Sequence, residues 1–304
     1  MAAAFWRIML LIEALLAMAL AAPLTRLLSG NLSVLVALWL GAFVLLQPLW
    51  VLSAAVLTRW AAPGPHRPMR ARTVLAEAGA LLVSALRMSV LWRRTEPPGS
   101  AASRRGSSAR PAPPVLLVHG ILCNGGIWDP LHHRLSAAGW NRVERIDLQP
   151  PWADIETLAV RLVQTLQAMH RSSGGQRIVV VAHSMGGLVA RAALRAGGQS
   201  LIARIITLGT PHHGTAIACH LPFAPTRQMC PDSPWLRDLN AEQEGRLPVP
   251  VTCLYSQDDT LVVPPGHAVL QGARRVRLER LGHLQLASSP RALAQVLEEL
   301  GVGS

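Results

Sequence analysis

Residues 32–57 (LSVLVALWLGAFVLLQPLWVLSAAVL) hold no charged side chain. A helix needs about 20 apolar residues to cross the hydrocarbon core of a bilayer, and this run exceeds that length. We therefore read it as a membrane span. Its Pro48 is of the kind that lipid-buried helices tolerate. A second apolar run, 5–22, precedes it and contains Arg7 and Glu13. This run reads either as the first arm of a helical hairpin, turned at 25–31, or as a signal peptide with Ala-x-Ala at 19–21. Glu13 in its middle weakens the signal-peptide reading, and snorkelling toward an interface accommodates the charge.

Charge supports a membrane partner rather than a nucleic acid. The formal net charge is +12, and residues 1–114 carry 12 Arg against 3 acidic residues, so most of the excess sits beside the apolar runs. No Lys occurs in the chain, and together with its abundant Ala, Gly and Pro this points to a GC-rich genome rather than to phosphate recognition. Arg59, Arg67, Arg70 and Arg72 follow the second run, whereas the hairpin turn has Arg26 alone. Cytoplasmic flanks collect basic residues, so the following domain is expected on the cytoplasmic side of a bacterial inner membrane. The periplasm is the alternative, required if 74–92 also crosses. That segment contains Glu77 and Arg87 and reads as an amphipathic interfacial helix. Residues 1–92 are thus expected to form an anchor. Residues 93–114, rich in Pro, Ser, Gly and Arg, read as a disordered basic linker.

From 115 to 304 the pattern changes. Short β-branched runs at 115–118, 142–147, 177–182, 203–209, 251–256 and 274–279 alternate with helical stretches at 154–171, 186–196 and 289–300. Such alternation predicts an α/β domain, a mostly parallel sheet with helices on both faces. Ligands of such sheets bind at the carboxyl ends of the strands.

The chemistry-bearing residues fall at those ends. In RIVVVAHSMGGLVARAAL (177–194) an apolar strand runs into His183-Ser184-Met185-Gly186-Gly187 and then a helix. A nucleophilic hydroxyl has to stand on a sharp strand-to-helix turn among small neighbours, so Ser184 is the candidate nucleophile. It needs a base. His283 follows the last predicted strand and fits, while His267 precedes that strand and is second. Asp258 and Asp259 follow the strand at 251–256, and the Asp-x-x-Val-x-Pro spacing selects Asp259 to orient the imidazole. The backbone N–H of Met185 and that of Ile121, after VLLVHG at 115–120, are the candidate oxyanion donors.

These segments resemble the α/β-hydrolase superfamily, and within it bacterial lipases and esterases. The matching pieces are VLLVHGIL at 115–122, VVAHSMGGLVAR at 180–191, ITLGTPHHGT at 206–215, YSQDDTLVVPP at 255–265 and LGHLQL at 281–286. Ala182 stands where the usual pattern has Gly. The resemblance covers almost all of 115–304 and none of 1–114. It implies a Ser–His–Asp acyl-enzyme mechanism on carboxylic esters, without a cofactor, on lipid or other apolar acyl substrates. The same triad serves acyltransferases, amidases and peptidases, and a degenerate fold could serve as a membrane-bound interaction module.

The remaining features carry less. Residues 216–248 form a long insertion where relatives place a lid, and it reads equally as a lid or as a surface excursion. Trp128, Trp152, Phe223 and Trp235 are candidate pocket residues, with core packing the competing reading. His212 and His213 lack partner acids at ligand spacing, so no metal is expected. Cys219 and Cys230 could form a disulfide, but ordinary thiols are the preferred reading for all four cysteines.

Overall fold

The computed structural model describes residues 1–28, 30–62, 70–91 and 112–302. Two long helices open the chain, α1 (Ala2–Leu28) and α2 (Leu32–Ala61), and α3 (Ala71–Leu86) follows with a π-helical turn at Arg87–Leu91. The first apolar run thus extends further at both ends than the sequence suggests, and both α1 and α2 continue through their prolines, Pro23 and Pro48. Asn31 starts α2, its side chain accepting from the Ser33 N–H. By length and composition α1, α2 and the 71–90 segment could each cross a membrane.

Glu13 corrects the snorkelling expectation. It is buried between α1 and α2, where its Oε2 accepts from Gln47 Nε2 at 2.8 Å. A carboxylate deep in an apolar pair is tolerated once a donor meets it, and the uncharged amide of Gln47 supplies one. The expected linker at 93–114 lies, up to residue 111, outside the described residues.

The second part is built on six parallel strands in the order β2-β1-β3-β4-β5-β6. They are β1 (Val115–Val118), β2 (Val143–Ile146), β3 (Ile178–His183), β4 (Ile202–Leu208), β5 (Val251–Ser256) and β6 (Arg274–Leu278). Each lies within a residue or so of its expected place. Successive strand side chains face opposite sides. Leu116, Val118, Val180 and Ala182 therefore pack under α5 (Ile155–Ser172) and α6 (Met185–Ala193). Val115, Leu117, Val179 and Val181 pack under α4 (Asp129–Ala137) and α10 (Pro290–Leu300). In α5 the buried positions Ile155, Leu158, Ala159, Leu162, Val163, Leu166 and Met169 trace one helical stripe. The strand order reverses between β1 and β3, and a crevice for ligands opens at such a switch point.

The insertion at 216–248 is packed rather than structureless. It holds α7 (Ala224–Gln228) and α8 (Pro234–Gln243), and Cys219 and Cys230 form a disulfide with Cα atoms 4.9 Å apart. This overturns the preference for free thiols at that pair; Cys123 and Cys253 are free and buried. Arg191 on α6 is fully buried, its Nε donating to Gln243 Oε1 at 3.0 Å and its Nη2 to the Leu239 carbonyl at 3.2 Å. A buried guanidinium needs such acceptors, and here they fasten α8 to the domain. A short helix, α9 (Gln285–Ser288), precedes α10.

The N-terminal helices rest on the loops at the carboxyl edge of the sheet. Trp6 Nε1 donates to the Leu122 carbonyl at 2.8 Å, and Asn124 Nδ2 donates to the Met88 carbonyl at 2.8 Å. Met88 joins the core beneath α4 and α10. Ala62 packs with Ala216 and Val263, and the Trp60 ring lies 6.0 Å from that of His220.

Candidate active site

Strand β3 ends in a forced turn. Ser184 has φ 54° and ψ −131°, a backbone state an L-residue adopts at a cost. The surroundings over-determine it. The Ser184 N–H donates to the Leu208 carbonyl at 2.9 Å, and Thr210 Oγ1 donates to the Ser184 carbonyl at 2.9 Å. Both glycines that follow are required by close approach. A Cβ on Gly186 would come within 2.6 Å of the His119 carbonyl oxygen, and one on Gly187 within 2.1 Å of Thr210 Oγ1. The small residues of the motif therefore let α6 seat against the ends of β1 and β4.

Ser184 Oγ lies 2.9 Å from His283 Nε2, and His283 Nδ1 lies 3.0 and 3.1 Å from the two oxygens of Asp259. With Nδ1 protonated toward the carboxylate, Nε2 is left to accept from the hydroxyl. Asp259 Oδ1 also accepts from the N–H groups of Leu261 and Val262, each at 2.9 Å. Burial works against the charged ring of His283, but the Asp259 carboxylate and then Glu77 outweigh it and leave its pKa above the ordinary imidazole value. Burial likewise works against ionised Asp259, while His283 and the Val262 and Leu261 donors hold its pKa below the usual carboxylate range.

The alternative residues have other work. Asp258 Oδ2 accepts from the Arg280 N–H at 3.0 Å. His267 Nδ1 lies 3.0 Å from the Gly214 carbonyl. The loop after β1 lies against Ser184, since a Cβ on Gly120 would come within 2.8 Å of Ser184 Cβ. Ile121 follows in that loop, partly buried, and Met185 is the first residue of α6.

The aromatic candidates lie in different settings. Trp128 has no exposed surface and packs in the core, its ring edge-on to His183 at 6.5 Å. Trp235 donates from Nε1 to Glu156 at 2.8 Å with Arg195 5.9 Å above its ring, outside the crevice. Trp152 is 50% exposed, and Phe223 is half-buried at the start of α7. The spacing of these residues after strand ends does not fix the direction of their side chains. A cavity of about 500 Å³ is lined by Arg70, Ala71, Arg72, Thr73, Ala76 and Arg280, and not by Ser184, His283 or Asp259. His212 is buried beside Thr207 and Cys253, and among the described residues no group of His, Cys, Asp and Glu is arranged to hold a metal ion.

Three site residues escaped the sequence reading. His119 presents Nδ1 to the Gly120 carbonyl at 2.8 Å and Nε2 to the Leu148 N–H at 3.0 Å, which fixes the loop after β1. His183 Nε2 lies 3.0 Å from the His283 carbonyl, and burial pushes its pKa down to about 3, so it stays a neutral donor. Both sit inside motifs already singled out, so adjacency to Gly120 and Ser184 was the available signal. Glu77 is only 2% exposed and contacts the turn that carries His283. Burial raises its pKa, opposed by the Leu284 N–H, by His283 and by the Gln285 N–H. An acid within an apolar helix was its one signal.

The family described as PGAP1-like alpha/beta domain matches residues 154–223. A curated relative, Protein SERAC1 of Danio rerio, is 35% identical over 102 residues, covering 28% of this chain; the chain spans only 16% of that relative's length. Among solved structures, the mature Bacillus licheniformis lipase BlEst2 superposes with a TM-score of 0.56 at 19% identity, covering 64% of this chain and 94% of that one. Aspergillus fumigatus lipase B gives a TM-score of 0.54 at 18% identity, covering 66% and 55%. With the parallel sheet and the strand-to-helix turn at Ser184, these likenesses show that the chain carries a domain of the α/β-hydrolase fold, behind apolar N-terminal helices that fit an anchor.

Proposed function

We propose that this chain is a membrane-anchored serine hydrolase that cleaves carboxylic esters, with lipid or other apolar acyl esters as its substrates. The observation that carries this reading is the hydrogen-bonded line from Ser184 Oγ through His283 to Asp259. In the reaction, Ser184 Oγ attacks the acyl carbon while its proton passes to His283 Nε2. The N–H groups of Met185 and Ile121 stabilise the oxyanion. His283 then protonates the departing alcohol, leaving an acyl ester on Ser184. Water, deprotonated by the same ring, attacks that ester and releases the acid. Asp259 keeps Nδ1 protonated and offsets the charge of the imidazolium. No step needs a cofactor.

The anchor supports the apolar substrate class. Residues 1–92 are read as the anchor and 115–304 as the catalytic domain, and all three N-terminal helices meet loops on the edge of the sheet where Ser184 stands. A mouth on that edge faces the place where membrane esters accumulate. Because Glu77 on α3 bonds to the domain, we read α3 as docked on it, with α1 and α2 as the crossing pair. Lipases among the structural neighbours support ester chemistry in general.

A panel of acyl esters of rising chain length, in detergent micelles, tests the reading. Turnover should rise with chain length and should fall by about 10⁵-fold or more in Ser184→Ala. Turnover of amides but not of esters would replace it with the amidase reading.

Two observations bear on the side of the membrane. The arginine-rich flank of α2 favours the cytoplasmic side of the inner membrane, whereas the Cys219–Cys230 disulfide favours an oxidising compartment. Alkylation of isolated membranes under denaturing, non-reducing conditions, which expose the buried Cys123 and Cys253, decides: four modified cysteines place the domain in the cytoplasm, and two place it in the periplasm.

A further inference from the structure

An acid inside an apolar helix is costly unless donors meet it. Among the described residues Glu77 has three donors, and every one belongs to the loops that carry His283 and Asp259. Its Oε1 accepts from the Leu284 N–H at 2.7 Å and from Thr260 Oγ1 at 3.2 Å, and its Oε2 accepts from the Gln285 N–H at 3.0 Å. Thr260 Oγ1 in turn accepts from the His283 N–H at 3.3 Å. Gly282, on the other side of His283, lies so close that a Cβ there would come within 2.4 Å of Glu77 Oε2. The carboxylate thus grips the turn at 282–285 on both sides of the imidazole. It also joins that turn to the Asp259 loop through Thr260.

We propose that Glu77 is a positioning residue for His283, so that the helix preceding the hydrolase domain completes its active site. This rests on the hydrolase reading above. The bonds from Glu77 fix the backbone from which the ring reaches Ser184, and a displacement of about 1 Å between reacting groups can cost on the order of 100-fold in rate. Glu77 also adds a negative charge to those facing His283. The other groups around the ring are Asp259, bonded to Nδ1, and His183, bonded to the His283 carbonyl. Around Glu77 the charged neighbours are His283 and Asp259, and Arg59 on α2 acts on Asp259 and Asp258.

Glu77→Gln keeps the size of the side chain and replaces one acceptor by a donor facing an N–H. In the full chain in micelles, we expect kcat for a p-nitrophenyl ester and the rate of fluorophosphonate labelling at Ser184 each to fall about tenfold, with KM within about twofold of wild type. The acid limb of kcat/KM should move to lower pH, because loss of a nearby negative charge lowers the proton affinity of His283. Gly282→Ala provides a second, independent arm. It should be damaging alone but should add no further loss in the Glu77→Ala background, where the methyl group has room. Wild-type labelling rate and an unmoved acid limb in Glu77→Gln would overturn the proposal, as would an equal loss from Gly282→Ala with and without Glu77. A wild-type chain that fails to label at all would instead refute the hydrolase reading.

Discussion

The two ends of the Ser184–His283 hydrogen bond are held in different ways. Ser184 is fixed by its own neighbourhood in the domain: the Leu208 carbonyl, the Thr210 hydroxyl and the packing of Gly186 and Gly187 on β1 and β4. His283 rides on a turn held from outside the domain's sheet, by Glu77 on α3, and from beneath by His183. The proposed nucleophile is therefore placed by hydrogen bonds and packing within the domain. The base is placed by partners far away in sequence. On the proposed reading, the fold carries a rigid nucleophile and still depends on an appended segment for its base.

The largest expected effect breaks the bond at its nucleophile end. Ser184→Ala should lower kcat by about 10⁵- to 10⁶-fold, leaving only binding and oxyanion stabilisation, with KM little changed. Next comes the partner of the base. Asp259→Asn should cost on the order of 10³- to 10⁴-fold, because the ring loses its tautomer and the offset to its charge. Asp258→Asn should cost less than about threefold, since its carboxylate accepts from the Arg280 N–H rather than from the His283 ring. A reversed order of the two aspartates in parallel kinetics would shift the orienting role to Asp258.

The pH profile sharpens the contrast further. As the proposed base, His283 would act only when neutral, and Asp259 and Glu77 raise its pKa. The acid limb of kcat/KM should therefore lie above about pH 6.5, the unperturbed imidazole value. The stability linkage has the same origin: the raised pKa contributes stability that is present below the unfolded-state value and is lost as pH rises through the folded-state one. Asp259, held low, contributes stability present above its unfolded-state pKa and lost as pH falls through its folded-state value. Gly187→Ala should destabilise the fold by about 1–3 kcal/mol by forcing Thr210 aside, read as a lower denaturant midpoint. The smallest effect belongs to Glu13→Gln. Its carboxylate meets only Gln47 within the α1–α2 pair, so ester turnover should stay within about twofold of wild type.

The same division explains what could be read in the sequence. The elbow at 182–187 was legible because its requirement is local: a buried strand, a serine and small residues in series. The strands were legible because their β-branched runs are short and bounded, and the placement of His283 and Asp259 near Ser184 because they follow strands in a fixed order. Glu77 was not, because its meaning lies in donors at 260, 284 and 285, which no spacing announces. Read alone it looked like the polar face of an interfacial helix. Glu13 misled for the same reason, its donor being Gln47 on the next helix. The tryptophans were ambiguous for a different reason. Apolar rings after strands can turn inward or outward, and Trp128 turned into the core.

The central claim is that the Ser184 hydroxyl is activated by His283. Intact-mass and peptide analysis after treatment with a fluorophosphonate tests it most directly. The account predicts one adduct per chain, on Ser184, formed in the wild type and absent from His283→Ala over the same time. An adduct on another residue, or equal labelling without the imidazole, would contradict it.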